Sequence, residues 1–177
     1  MAKLNLVLLT GLPASGKSTV AERLASQYGF LTLSTDELRQ SIFRQTYEKL
    51  VEDGKLKEEV IRKIMDYSKL QILSQGFNLV IDTSAPTEKF RRRMLELPET
   101  LDQIVNKYLL YIKSDETILL SRSRMRRDSE DRIRNIQQFW SEPQNEFCGA
   151  SLYEISNNSN LEQLYKDVDW FYESLRK

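Results

Sequence analysis

The chain has 177 residues, with 26 Lys plus Arg against 26 Asp plus Glu and a formal net charge of zero. That balance argues against a chain-wide nucleic-acid or membrane field, while leaving room for a local basic groove. The length suits one domain, residues 1–177, and the absence of histidine means that any proton acceptor must be another side chain, carboxylates first.

Leu4 to Leu9 form a short apolar run suited to a buried strand. The run stops at Gly11, without the flanks of a signal peptide, and no stretch is long enough to span a bilayer. A cytoplasmic chain without membrane association is expected. Next comes Gly11-Leu12-Pro13-Ala14-Ser15-Gly16-Lys17-Ser18-Thr19, a glycine, four residues, then Gly-Lys-Ser. This fits the P-loop pattern in full. Val20, Ala21, Leu24, Ala25 and Tyr28 recur at helical spacing, so the motif sits between a strand and a helix. Glycines let the backbone close around phosphates with its N–H groups inward, and the helix adds its positive end. Lys17 is placed to reach β- and γ-phosphate oxygens, and the Ser18 hydroxyl to ligate Mg²⁺.

Residues 30–33 predict a second strand, and Ser34 or Thr35 caps a helix opened by Asp36, Glu37 and Arg39. Residues 38–76 are helical in pattern, with Leu56, Val60, Ile64 and Tyr67 on one stripe and Gly54 and Gly76 as punctuation. Asn78 to Asp82 is a third strand ending in a carboxylate. Pro86 suits the first turn of a helix running to about Leu97. Lys107 to Lys113 reads as a fourth strand and residues 115–125 as a helix. An arginine-rich segment follows, then a helical stretch to Trp140. The single cysteine, Cys148, cannot form an internal disulfide and fits a reducing compartment. Leu152 to Ser156 is a fifth strand. The last helix carries Leu161, Leu164, Val168, Phe171 and Leu175 on one face. Strands alternating with helices predict an α/β fold, a parallel five-stranded sheet with helices on both faces.

Three clusters fall at carboxyl ends of such strands, where an open α/β sheet binds ligands. Asp36 is placed to take the proton of an attacking hydroxyl, with Arg39 one turn along to hold the acceptor or a phosphate. The bland reading is an acidic first turn complementing the helix dipole, worth about 0.3–1 kcal/mol per charge. Asp82 stands where an aspartate binds Mg²⁺ directly or through water, or else caps the next helix. Arg122, Arg124, Arg126 and Arg127 form a basic lid, residues 122–135. Arg132 and Arg134 read as a solvated face paired with Asp128, Glu130 and Asp131. Arg91 to Arg93 are either a weak nucleic-acid signal or a solvated helix edge. The aromatics Tyr165, Trp170, Phe171 and Tyr172 read as packing.

Together these stretches resemble P-loop kinases of the polynucleotide-kinase and zeta-toxin type. The resemblance rests on GLPASGKST at 11–19, STDELRQ at 34–40, VIDTSAPTEKFRRR at 80–93, RSRMRR at 122–127 and, more weakly, SEPQNEF at 141–147. It implies a P-loop NTPase three-layer sandwich with an arginine-rich lid, using ATP and Mg²⁺. Carried over, Asp36 matches the general base, Arg39 its partner near the acceptor, Asp82 the strand-end aspartate, and Arg122 and Arg126 the lid arginines. Ser84 replaces a frequent asparagine. Ala14 replaces a frequent loop glycine, tolerable if its φ stays below zero.

The expected function is transfer of the ATP γ-phosphate to a hydroxyl acceptor, either a nucleic-acid 5′-hydroxyl or a small metabolite. The catalytic set is Lys17, Asp36, Arg39, Arg122 and Arg126. The nucleotide is held by Gly11, Pro13, Ala14, Ser15, Gly16, Lys17, Ser18 and Thr19, and the metal by Ser18 and Asp82. The alternative is an NTPase or nucleotide-dependent switch without an acceptor. A GTPase would carry Asn-Lys-x-Asp, whereas Asn106-Lys107 is followed by Tyr108-Leu109. An AAA-type ATPase would add a carboxyl-terminal helical domain.

Overall fold

The computed structural model describes residues 3–44, 55–126, 130–144, 146–147 and 149–176. The expectations placed on Gly54, Arg127, Asp128 and Cys148, and on the side chains of Leu56, Arg126 and Glu130, lie outside the described residues.

The apolar run at the start of the chain forms β1 (Leu4–Thr10), the axis of one sheet. Around it lie β2 (Leu31–Ser34), β3 (Leu79–Asp82), β4 (Val105–Lys113), β5 (Glu146–Phe147) and β6 (Ala150–Ser156), in the order β2-β3-β1-β4-β6-β5. The five expected strands pair in parallel. The structure adds β5, a two-residue strand antiparallel to β6, too short to leave a sequence pattern. Parallel strands buried on both faces should be mostly apolar, and β1 and β3 are, apart from Asn5, Thr10 and the terminal Asp82.

Alternation along β1 divides the core in two. Leu4, Leu6 and Leu8 face Ile61, Met65 and Leu73 of α3 (Lys55–Ser74) and Met94 and Leu95 of α4 (Glu88–Leu95). Val7 and Leu9 face Val20, Ala21 and Leu24 of α1 (Lys17–Tyr28) and Leu164, Val168 and Phe171 of α7 (Leu161–Leu175). Two helical layers therefore enclose the sheet, giving the three-layer sandwich. The terminal helix docks through Leu164, Val168 and Phe171, while Leu161 stays exposed. Its aromatics pack locally, with Tyr172 stacked on Tyr28 at 3.8 Å.

The helix expected after a Ser34 or Thr35 cap is α2 (Thr35–Phe43), and Ser34 is its cap. The stripe expected on α3 is wrong in phase: Val60 and Tyr67 are exposed, and Ile61, Met65, Lys69 and Leu73 are buried. Lys69 explains the error. Its ammonium donates to the carbonyls of Arg93, Met94 and Glu96 at 2.9–3.2 Å, closing the end of α4 while its aliphatic stem lies in the core. Pro86 does not open α4, because Thr87 caps it by accepting from Phe90 N–H. Helices α5 (Glu116–Arg126) and α6 (Glu130–Gln137) follow β4. No helix among the described residues is long and apolar enough to cross a membrane.

Candidate active site

The loop leaving β1 is held open by positive φ at Gly11 and Gly16. A side chain at Gly11 would collide with the Ile112 carbonyl, and one at Gly16 with the Asn157 amide. Ala14 also has positive φ, 64°, contrary to expectation. The loop thus holds alanine in a left-handed conformation that glycine adopts without strain. Gly16 caps α1 without any side-chain hydrogen bond, so the first amides of that helix face the loop. Lys17 lies buried across the loop and donates to the Leu12 carbonyl at 2.8 Å.

Register brings the other groups alongside. Ser34 pairs with Asp82 across β2 and β3, so the carboxylate after β2 and the one ending β3 reach the same edge of the sheet. Ser34 caps α2 by accepting from Glu37 N–H, which fixes Asp36 in its first turn. Asp82 does not cap α4, since Thr87 does. Burial pushes the Asp82 carboxyl above its ordinary value, with Lys17 and a hydrogen bond from Ser18 pulling it partly back.

Pro13, Ala14, Lys17, Ser18, Asp36, Asp82 and Arg132 line a polar cavity of about 80 Å³, together with Thr83 and Ser84. Asp36, Thr83, Ser84 and Arg132 also line a second cavity of about 220 Å³, which extends to Arg39, Glu58, Arg62 and the apolar Pro86, Phe90 and Ile136. The two spaces therefore meet at Asp36. One Asp36 oxygen accepts from Arg39 at 2.7 Å and the other from Arg132. Burial alone would raise the Asp36 pKa, but Arg132 and Arg39 outweigh it and hold the carboxyl below its ordinary value.

Arg132 corrects the sequence reading. It is no solvated face residue but reaches from α6 into the site, with a side chain 20% exposed. Arg134 is exposed, as expected. Arg39 is buried and fixed by Glu58 in a bidentate pair at 2.7 and 3.0 Å, which aims its remaining arm at Asp36. Glu58 left no signal in the sequence, standing 19 residues from its partner. Arg122 lies beside the loop and does not line the phosphate cavity. It donates to Asn157 at 3.3 Å and lines, with Ala14, Gly16, Thr19 and Leu164, a separate space of about 190 Å³. Asn157 in turn donates to the Ser15 carbonyl at 2.7 Å, tying the end of β6 to the loop. Arg91 is neither a nucleic-acid contact nor a helix edge. It is fully buried and donates to the Ala85 carbonyl and the Ser141 hydroxyl, joining the wall of the larger cavity to the chain beyond α6.

Among the described residues no group of three or more carboxylate or thiol ligands could cage a metal alone. Ser18 and Asp82 nevertheless fit Mg²⁺, which keeps several waters and takes one or two protein ligands plus substrate phosphates.

Residues 6–140 match the AAA_33 family, described as an AAA domain. The chain belongs to that family. Beyond residue 140 it continues into β5, β6 and α7, where β6 completes the parallel sheet. It is 26% identical over 170 residues to an adenylate kinase of Bacillus pumilus, covering 88% of this chain and 76% of that one. It is 24% identical over 147 residues to an L-seryl-tRNA(Sec) kinase of Methanococcus maripaludis, covering 78% of this chain but 53% of the relative, about half its length. A sugar kinase structure from Janibacter sp. HTCC2649 superposes with a TM-score of 0.73 at 14% identity, covering 97% of this chain and 95% of that one. The fold is that of a P-loop kinase.

Proposed function

We propose that this protein is an ATP-dependent kinase that transfers the γ-phosphate of ATP to an alcohol, with chemistry of the polynucleotide-kinase and zeta-toxin type. The observation that carries this reading is the meeting of the two cavities at Asp36. A phosphate-sized polar space lies beside a second space, and the wall they share carries a carboxylate able to orient a hydroxyl. An NTPase that only hydrolyses has no use for the second space.

Phosphates lie on the loop amides and Lys17, with the nucleoside end toward Arg122, Asn157 and Thr19. Ser18 and Asp82 would hold Mg²⁺, which would supply neutralising charge to the phosphate oxygens. The acceptor O–H donates to Asp36 and its oxygen attacks the γ-phosphorus. The bond from that phosphorus to the β–γ bridging oxygen breaks, ADP departs, and the proton passes through Asp36 to solvent. A carboxylate held below its ordinary pKa is a weak base. That suits a loose transition state, in which the nucleophile's proton leaves late and positioning carries most of the rate. Arg132, lining both cavities, stabilises the charge of the group in transit, while Arg39 and Glu58 hold Asp36 in place.

Transfer from γ-labelled ATP tests the assignment, using a panel of 5′-hydroxyl RNA and DNA, nucleosides, nucleotide sugars and small polyols. Lys17→Ala should lower kcat by roughly 10²–10³. Asp36→Asn should lower it by roughly 10²–10⁴ with the KM for ATP little changed. Full turnover in Asp36→Asn on the accepted alcohol removes Asp36 from its role.

A further inference from the structure

Among the described residues, the larger cavity is lined by Arg39, Arg62 and Arg132 and by two carboxylates, Asp36 and Glu58. Those two are engaged with Arg39 and Arg132: Glu58 takes Arg39 bidentately, and Asp36 accepts from both. Arg62 stands outside this chain of pairs. Its terminal nitrogen reaches Glu59 on its own helix at 3.1 Å, with both side chains partly exposed, a geometry that binds weakly in water. Its Nε–H is buried and has no hydrogen-bond partner among the described residues. A buried donor on a permanent cation is unfavourable until an acceptor arrives, and the planar guanidinium fork matches carboxylate and phosphate oxygens. The cavity volume of about 220 Å³ is small beside the roughly 300–1,000 Å³ of drug-sized sites. A space of this size favours a small molecule.

We propose that the acceptor is a small alcohol bearing an anionic group, phosphate or carboxylate, which Arg62 binds while the hydroxyl faces Asp36. This rests on the kinase reading above. A neutral polyol could offer the Arg62 donor only a hydroxyl oxygen, whereas an anionic group adds a charge-assisted bond that the partly exposed pair with Glu59 supplies weakly. Phe90, Pro86 and Ile136 would pack against the carbon skeleton between the two polar ends.

Binding tests this separately from catalysis. The protein is saturated with Mg²⁺ and a non-hydrolysable ATP analogue, so that the phosphate cavity is filled. Glycerol, glycerol 3-phosphate and glycerate are then titrated by calorimetry, three probes sharing a skeleton and differing in charge. Glycerol 3-phosphate or glycerate should bind and glycerol should not, and whichever anion binds identifies phosphate or carboxylate as the group recognised. Arg62→Ala should weaken that binding by roughly ten- to a hundredfold, with partial recovery in Arg62→Lys. Affinity for the ATP analogue, measured alongside, reports that each variant is folded. Glycerol binding as tightly as the anions overturns the proposal, as does binding of neither anion or unchanged affinity in Arg62→Ala. Label transfer decides only the kinase reading, so the two can fail independently.

Discussion

Asp82 meets two opposed demands, and the opposition can be measured. Burial beside Lys17 and Ser18 leaves its folded pKa above the ordinary value. A carboxyl shifted upward binds its proton more tightly in the folded state, so stability falls as pH rises from the unfolded toward the folded pKa. Above both values the ionised group strains the unliganded fold. Asp82→Asn should therefore raise the unliganded Tm at pH 7 by roughly 1–5 °C, the pattern of a site kept for function at the expense of stability. Below about pH 3.9, where the wild-type carboxyl is protonated in both states, the two melting curves should converge. The same variant should need more Mg²⁺ for half-maximal activity. A lower Tm at pH 7 would mean that Asp82 supports the fold, and its metal role would lose this argument. Arg132 shows the complementary lesson at this scale. Its acidic neighbours along the sequence suggested local pairing, but Arg132 also reaches Asp36, 96 residues away.

Among the elements, α3 and α4 share an apolar cluster and two polar links, the Arg93–Asp66 pair and one buried lysine. Three carbonyls at the end of α4 have Lys69 as their shared donor. Lys69→Met keeps the stem's volume but removes the donor, and should destabilise by roughly 1–3 kcal/mol in urea. An unchanged urea midpoint would show that water replaces the ammonium without loss. This contact also explains where reading from sequence succeeds and fails. Strand β1, the loop at 11–19 and α1 are legible because an apolar run, a glycine pattern and a 3.6-residue period each have a local cause. The buried stripe of α3 is not, because Lys69 sits in it and hydropathy counts a lysine as exposed. Asp36 and Asp82 were found because strand ends of an α/β sheet gather ligands. Glu58, Arg62 and Asn157 were missed, since each owes its place to tertiary contact alone. The two-residue β5 leaves no period to detect.

At the scale of the molecule, the central position of β1 makes the loop a junction between both helical layers and both cavities. Asn157 ties the loop to β6, and Thr10 ties it to the chain after β3 by donating to the carbonyls of Ser84 and Ala85 at 3.1 Å. A nucleotide bound there touches strands on both sides of the sheet, so its binding energy should be felt by the whole cooperative unit. A ligand at one hundred times its Kd stabilises by about 2.7 kcal/mol, provided that it binds only the folded state. For a chain of this size that is a Tm rise of roughly 5–10 °C. The proposed ligands divide this rise. ATP with Mg²⁺ should give all of it and ATP with EDTA a smaller part, the loop amides and Lys17 holding phosphates without the ion. In Ser18→Ala the ATP–EDTA increment should survive and the Mg²⁺ increment should shrink. In Gly16→Ala both should vanish, because the added carbon falls on Asn157 at a φ of 102°. A full Mg²⁺ increment in Ser18→Ala would place the ion elsewhere, and with it the phosphate oxygens that Arg132 and Lys17 are proposed to meet.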